Sequence, residues 1–153
     1  MSGLAMILVD RGYRVSGSDL KPTNNLKPLK TKGIQIFPQQ TAENISAILK
    51  AHISSKSLPI VVITSAIKKD NKELQAAKNA GLKVLHRSDL LAGLIKSFKS
   101  IVVAGSHGKT TTSTLITTLM ALSDQDPTAL IGGIVPVFNS NAHCGQGNLL
   151  IAE

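Results

Sequence analysis

Apolar positions along the chain fall into two rhythms. Short β-branched or aliphatic runs suited to strands alternate with longer stretches in which apolar residues recur at helical spacing. Residues 4–9 are apolar and free of breakers, and Gly12 follows, which predicts a helix with a glycine stop. A strand is predicted over residues 13–18, ending before Asp19, then a loop over residues 21–25. A short helix over residues 26–32 carries Pro28 in its first turn and ends at Gly33. Alternation makes residues 34–37 strand-like, and a helix runs from Thr41 to Lys50, with Asn44 where a capping box prefers Glu.

The run Pro59-Ile60-Val61-Val62-Ile63-Thr64 has the continuous β-branched character of a strand buried on both faces. A helix over residues 71–80 stops at Gly81, and a strand follows over residues 82–85. Ser88 is the expected cap of a helix reaching Ile95. Residues 100–104 make another buried strand, residues 110–122 a helix, and residues 127–131 a strand ending at Gly132-Gly133. Residues 134–148 read as loop, and residues 149–152 as a last strand reaching Glu153. This alternation predicts an α/β fold with a mostly parallel sheet. The best boundary between two modules lies at residues 96–100, giving domains 1–97 and 98–153. The first helix has no strand before it and the last strand stops where a loop should begin, so the expectation is a piece of a longer enzyme or a truncated product.

Composition sharpens this only in places. Of 153 residues 42% are hydrophobic and 17% charged, but aromatic residues are 3% and Trp is absent, so the core must be aliphatic. The formal charge of +8 suits an anionic partner such as a nucleotide, or simply a lysine-rich surface. The lysines (Lys21, Lys27, Lys30, Lys32, Lys50, Lys56, Lys68 and Lys69 among them) are scattered without interleaved aromatics, which argues against a nucleic-acid partner. A single cysteine, Cys144, excludes an internal disulfide and a thiolate metal cluster. No basic leader precedes the first apolar run, which Asp10 and Arg11 interrupt. Neither a signal peptide nor a membrane span is expected, and a cytoplasmic location is the default.

The strongest chemical signal is Gly105-Ser106-His107-Gly108-Lys109-Thr110, set between a buried strand and a helix. Glycines let the backbone turn tightly and expose its amides, while the helix start adds partial positive charge. In such loops the lysine reaches the β- and γ-phosphates and the hydroxyl that follows binds Mg²⁺. ATP or GTP is the expected ligand, held by Gly105, Ser106, His107, Gly108, Lys109, Thr110 and, more weakly, Thr111. Lys109 is the expected catalytic residue, and Thr110 the expected metal ligand. The strict Walker spacing fails, because its first glycine falls on Val103. His107 fits a base, a metal ligand or a loop amide. Glu153 fits either a second Mg²⁺ ligand or an ordinary strand-end residue. Asp19 lies where nucleotide-binding sheets place an acidic residue, but it also suits a plain turn.

Several of these pieces together resemble the Mur ligases of peptidoglycan synthesis. Val103-Ala104-Gly105-Ser106-His107-Gly108-Lys109-Thr110-Thr111-Thr112 is similar to that family's short ATP loop, with Ser106 where Thr is usual. Met1-Ser2-Gly3-Leu4-Ala5, Ser16-Gly17-Ser18-Asp19, Thr64-Ser65-Ala66-Ile67, Arg87-Ser88-Asp89-Leu90-Leu91-Ala92, Gly145-Gln146-Gly147 and Leu150-Ile151-Ala152-Glu153 extend the resemblance across the chain. It implies a Rossmann-like first domain that binds a UDP-sugar and the start of a P-loop ATPase domain. It also implies ATP and Mg²⁺ as cofactors, with Thr110 and Glu153 on the metal. Ser2, Gly3, Asp19, Ser65 and Ala66 are the residues implied on the UDP-sugar. The implied activity is ATP-dependent ligation through an acyl phosphate, with UDP-N-acetylmuramate and L-alanine as substrates of the parent enzyme. Transfer of a murein tripeptide to the same sugar nucleotide, a P-loop hydrolase or kinase, and an inactive nucleotide-binding remnant are the alternatives.

Overall fold

In the computed structural model of the chain, residues 1–20, 26–53 and 57–153 are described. The loop read at residues 21–25, with Lys21, and Lys56 lie outside them. The elements in chain order are α1 (Ser2–Asp10), β1 (Ser16–Ser18), α2 (Lys27–Thr31), β2 (Gln35–Phe37), α3 (Ala42–Ala51), β3 (Ile60–Ile63), α4 (Lys72–Asn79) and β4 (Lys83–His86). After these come α5 (Arg87–Ser97), β5 (Lys99–Val102), α6 (Lys109–Leu122), β6 (Thr128–Val135), a 3₁₀ turn (Pro136–Phe138), β7 (Ser140–His143) and β8 (Leu149–Ala152). The predicted α/β class holds, since β1–β2, β3–β4, β5–β8 and β6–β8 are parallel and β6–β7 alone among these pairs is antiparallel.

The chain forms two compact units. One comprises residues 16–24 and 35–90; the other comprises residues 1–15, 25–34 and 91–153. This partition differs from a simple division at residue 97, because α1 and α2 pack with the later part of the chain.

Within the unit of residues 16–24 and 35–90, β1 pairs with β2 and β3 with β4, and α3 packs on α4. Ile45, Ala77 and Leu82 are its buried core, flanked by Leu49, Val61 and Ala76. Asn71 caps α4, its side-chain oxygen accepting from the Leu74 N–H at 2.9 Å. Asn44 does not serve as a cap partner. It is buried, and its amide donates to the Gln39 carbonyl at 2.7 Å and to Glu73 at 2.9 Å, while Ser18 Oγ donates to the other Glu73 oxygen at 2.5 Å. Helix α5 starts directly from β4, so Ser88 is not its cap. Asp89 accepts from the His86 N–H at 2.9 Å, and Ser88 Oγ instead meets His86 Nδ1 at 2.8 Å.

The other unit is built on a four-stranded sheet of order β5–β8–β6–β7. Successive side chains of a strand point to opposite faces. Ala129, Ile131 and Ile151 on one face join Val135, Phe138 and, from α6, Ile116 and Met120. Leu130 and Ala142 on the other face meet α1 at Gly3, where an added Cβ would lie 2.6 Å from Leu130 and 3.0 Å from Ala142. Burial on both faces explains the apolar runs of residues 129–131 in β6 and of β8. Residues 134–148, expected as loop, contain the 3₁₀ turn and β7. β7 pairs with β6 as a hairpin across a register shift between Leu130 and Val135, where Gly132 and Gly133 interrupt the apolar signal that would have revealed a longer strand. Among the described residues no helix is long and apolar enough to cross a membrane.

Candidate functional site

Strand β5 ends at Val102, and Val103 continues the ladder by donating its N–H to the Ala152 carbonyl at 2.9 Å. The chain then turns through Gly105, with φ at 150°, and Gly108, with φ at 75°. Gly108 is the residue immediately before α6, and its left-handed conformation lets the helix begin abruptly at Lys109. An added Cβ at Gly108 would meet nothing within 4 Å, so the glycine is required by backbone conformation and not by crowding within the chain. The loop residues Ser106 and His107 and the first-turn residue Thr111 are exposed. Lys109 folds back over the loop, its ammonium donating to the Gly105 carbonyl at 2.6 Å and to the Ser106 carbonyl at 3.3 Å.

Parallel pairing of β5 with β8 and of β8 with β6 brings three strand ends together at one edge of the sheet. Glu153 follows β8 directly and continues the ladder through its N–H to the Leu130 carbonyl at 3.1 Å. Its side chain turns to the start of α6. Oε1 accepts from Thr110 Oγ1 at 2.7 Å, while Oε2 accepts from Ser113 Oγ at 3.1 Å and from the Gly132 N–H at 3.2 Å. Burial pushes the Glu153 carboxyl up, but the hydrogen bonds from Thr110, Gly132 and Ser113, with the charge of Lys109, outweigh it and hold the group below the usual glutamate range. It is therefore an anion at neutral pH, set 43 residues from the hydroxyl it accepts.

The loop thus offers exposed backbone, the Lys109 ammonium and, beside it, a hydroxyl and a carboxylate oxygen 2.7 Å apart. Hard oxygen donors of this kind suit Mg²⁺, which keeps several waters and shares phosphate oxygens instead of taking a full protein cage. Among the described residues no group of three or more His, Cys, Asp or Glu side chains could hold a metal by itself.

The sequence missed two contributors to this cluster. Ser113 is fully buried on α6, and Gly132 stands inside β6. An added Cβ at Gly132 would lie 2.8 Å from Glu153 Oε1, and one at Gly133 would lie 2.8 Å from Thr110 Cγ2. The glycine pair was visible in the sequence, but only the fold shows what it makes room for.

The remaining predicted residues are divided between the two units. Ser2 and Gly3 begin α1 and belong to the unit of the four-stranded sheet, with Gly3 buried against Leu130 and Ala142. Asp19, Ser65 and Ala66 belong to the other unit. Asp19 follows β1 and donates its N–H to the Phe37 carbonyl at 3.1 Å, and Ser65 and Ala66 are exposed in the turn after β3.

Comparison with known proteins places these features in a wider set. A model of the Mur ligase family, catalytic domain, matches residues 1–99. Along its whole length the chain is 58% identical to a UDP-N-acetylmuramate–L-alanine ligase of Prochlorococcus marinus, of which it covers 31%. It spans about a third of the length of the curated relatives it matches. Among solved structures it resembles a UDP-N-acetylmuramate:L-alanyl-γ-D-glutamyl-meso-diaminopimelate ligase of Neisseria meningitides. That match has a TM-score of 0.86 at 25% identity and covers 100% of this chain and 48% of the other. It also resembles a UDP-N-acetylmuramate-alanine ligase of Thermotoga maritima, with a TM-score of 0.83 at 25% identity, covering 99% of this chain and 34% of the other.

Proposed function

The chain belongs to the Mur ligase family, and from that premise we propose that it carries the ATP loop and front domain of a ligase that joins L-alanine to UDP-N-acetylmuramate. The observation that carries this reading is the convergence of Lys109, Thr110 and Glu153 at neighbouring strand ends. The 58% identity to a protein of that name supports the choice of L-alanine over a tripeptide. The domain reading is part of the proposal: residues 1–97 as a Rossmann-like UDP-sugar domain and residues 98–153 as the start of a P-loop ATPase domain. The end of the family match at residue 99 supports it. Ser2, Gly3, Asp19, Ser65 and Ala66 are the proposed contacts to the UDP-sugar, and the cytoplasm is the proposed location.

In the proposed reaction a lactyl carboxylate oxygen attacks the γ-phosphorus of ATP, ADP leaves, and an acyl phosphate forms. The amine nitrogen of L-alanine then attacks the acyl carbon, inorganic phosphate leaves, and the nitrogen loses a proton as the amide forms. Little covalent chemistry falls to the protein in the first step, so positioning and charge neutralisation dominate. Lys109 exchanges its loop carbonyls for phosphate oxygens, and the amides from Gly105 to Thr111 cradle the same group. Thr110 and Glu153 would hold Mg²⁺, which when bound neutralises phosphate charge.

The test is a nucleotide titration of the purified chain and its Lys109→Ala variant in the presence of Mg²⁺. Losing a charge-assisted contact to phosphate weakens binding by about tenfold or more. Equal affinity for the two proteins refutes the assignment of the loop.

A further inference from the structure

Glu153 is held from the side opposite its proposed ligand oxygen, and we infer that Ser113 and Gly132 are positioning residues for the metal carboxylate. The inference rests on the nucleotide-site reading given above. The two carboxylate oxygens have different partners: Thr110 donates to Oε1, whereas Ser113 Oγ and the Gly132 N–H donate to Oε2. One oxygen faces the phosphate loop and the other is anchored to the scaffold.

Metal binding would change only the first of these. A cation held by Thr110 and Glu153 would compete for the Oε1 lone pair that now accepts the Thr110 hydroxyl proton. With that bond weakened, Ser113 and Gly132 would be the donors whose hold on the carboxylate the cation leaves untouched, because they bind Oε2. Both are suited to this. Ser113 is fully buried on α6, four residues after Lys109 and three after Thr110, on the face that a helix turns inward at that spacing. Its one hydroxyl proton has three acceptors in reach: the Lys109 carbonyl at 2.8 Å, the Thr110 carbonyl at 3.2 Å and Glu153 Oε2 at 3.1 Å. An ionised carboxylate is the strongest acceptor of the three. The Gly132 amide belongs to strand β6 and cannot rotate away, and any side chain there would collide with the carboxylate, its Cβ lying 2.8 Å from Oε1 and 3.3 Å from Cδ. Glycine at 132 therefore supplies a donor and space at once.

Groups that orient a metal ligand typically change metal affinity about tenfold or more when removed. The experiment measures ATP affinity of the 153-residue chain with saturating Mg²⁺ and again in EDTA, for the natural protein, Ser113→Ala and Gly132→Ala. Ser113→Ala removes only a hydroxyl from a helix interior where Ala is a good former, and Gly132 is exposed and has no positive φ, so both variants should fold. The expected result is a drop of about tenfold in the ratio of the two affinities for each variant. A merely structural role would change both affinities together and leave the ratio intact, which overturns the inference. Failure of the natural chain to bind ATP in either condition instead overturns the nucleotide-site reading, and this inference with it.

Discussion

Gly108→Ala separates two reasons for a glycine in the proposed phosphate loop. Gly108 has φ at 75° and ψ at −1°, and its hypothetical Cβ meets nothing within 4 Å. The substitution therefore adds no clash, and its cost lies in the backbone. Placing an L side chain in the left-handed region costs about 1–2 kcal/mol, partly offset by the roughly 0.4–1 kcal/mol gained from restricting the unfolded chain. A net loss of about 1 kcal/mol lowers Tm by roughly 2–4 °C in a chain of this size. Gly108→Asn should recover most of that, because Asn tolerates the left-handed region. Nucleotide binding should divide differently. Both side chains enter the open space above the loop, so both variants should lose ATP affinity, Asn no less than Ala. Circular-dichroism melting and an ATP titration on the three proteins provide the check. An alanine variant no less stable than the asparagine variant refutes the backbone argument. An asparagine variant that binds ATP as the natural protein does refutes the view that this space receives phosphate.

Two further outcomes concern stability. Thr117 is fully buried on α6 and its hydroxyl has no hydrogen-bond partner among the described residues. Unsatisfied buried hydroxyls cost about 1–3 kcal/mol, so the near-isosteric Thr117→Val should raise the urea midpoint by the equivalent of about 1 kcal/mol, and an unchanged or lowered midpoint contradicts this. Asp126 is held below the ordinary aspartate value of 3.8 by the Gln146 N–H and then by His143, whose Nε2 lies 2.9 Å away. A depressed carboxyl contributes stability that is present above its unfolded pKa and lost as pH falls through the lower folded one. The urea midpoint should therefore decline on acidification below about pH 3.8, and Asp126→Asn should flatten that decline. A variant with the same acid limb as the natural chain removes Asp126 from the account.

Much of this architecture was legible because local signals and tertiary context agree. The helices ending at Gly12, Gly33 and Gly81 do so with these residues at positive φ, as their sequences imply. The strand, loop and helix around Lys109 were readable for the same reason, since glycines, β-branched residues and a helical stretch stand in fixed order. The pattern failed where one residue serves two demands. Residues 134–148 looked like loop because Pro136, Asn139, Asn141, Gly145 and Gly147 punctuate them, yet β7 is held by pairing with β6, which no local propensity records. On α6, hydrophobicity alone would turn Leu115, Leu119 and Leu122 inward. They are 60%, 61% and 72% exposed, while Ser113 and Thr117 are fully buried. At Ser113 a hydroxyl reaches Glu153 where a leucine could not, and Ile116 and Met120 of the same helix supply its apolar contacts to the core. Ser88 failed as a cap because α5 follows β4 without a connecting residue, which moves the capping carboxylate to Asp89.

The strand order β5–β8–β6–β7 has a consequence for assembly. β5 and β6 do not pair with each other, since β8, which follows both in the sequence, lies between them. Until β8 inserts, the phosphate loop and the hairpin of β6 with β7 are halves of a sheet without a centre, and Glu153 has not met Thr110. Closure of that 43-residue loop carries an entropic cost that local helix formation does not. The Thr110 and Glu153 oxygens are thus brought together by the same event that joins the sheet. A chain emerging from the ribosome could form α6 and the turn before it early, but it would acquire the paired oxygens only with β8.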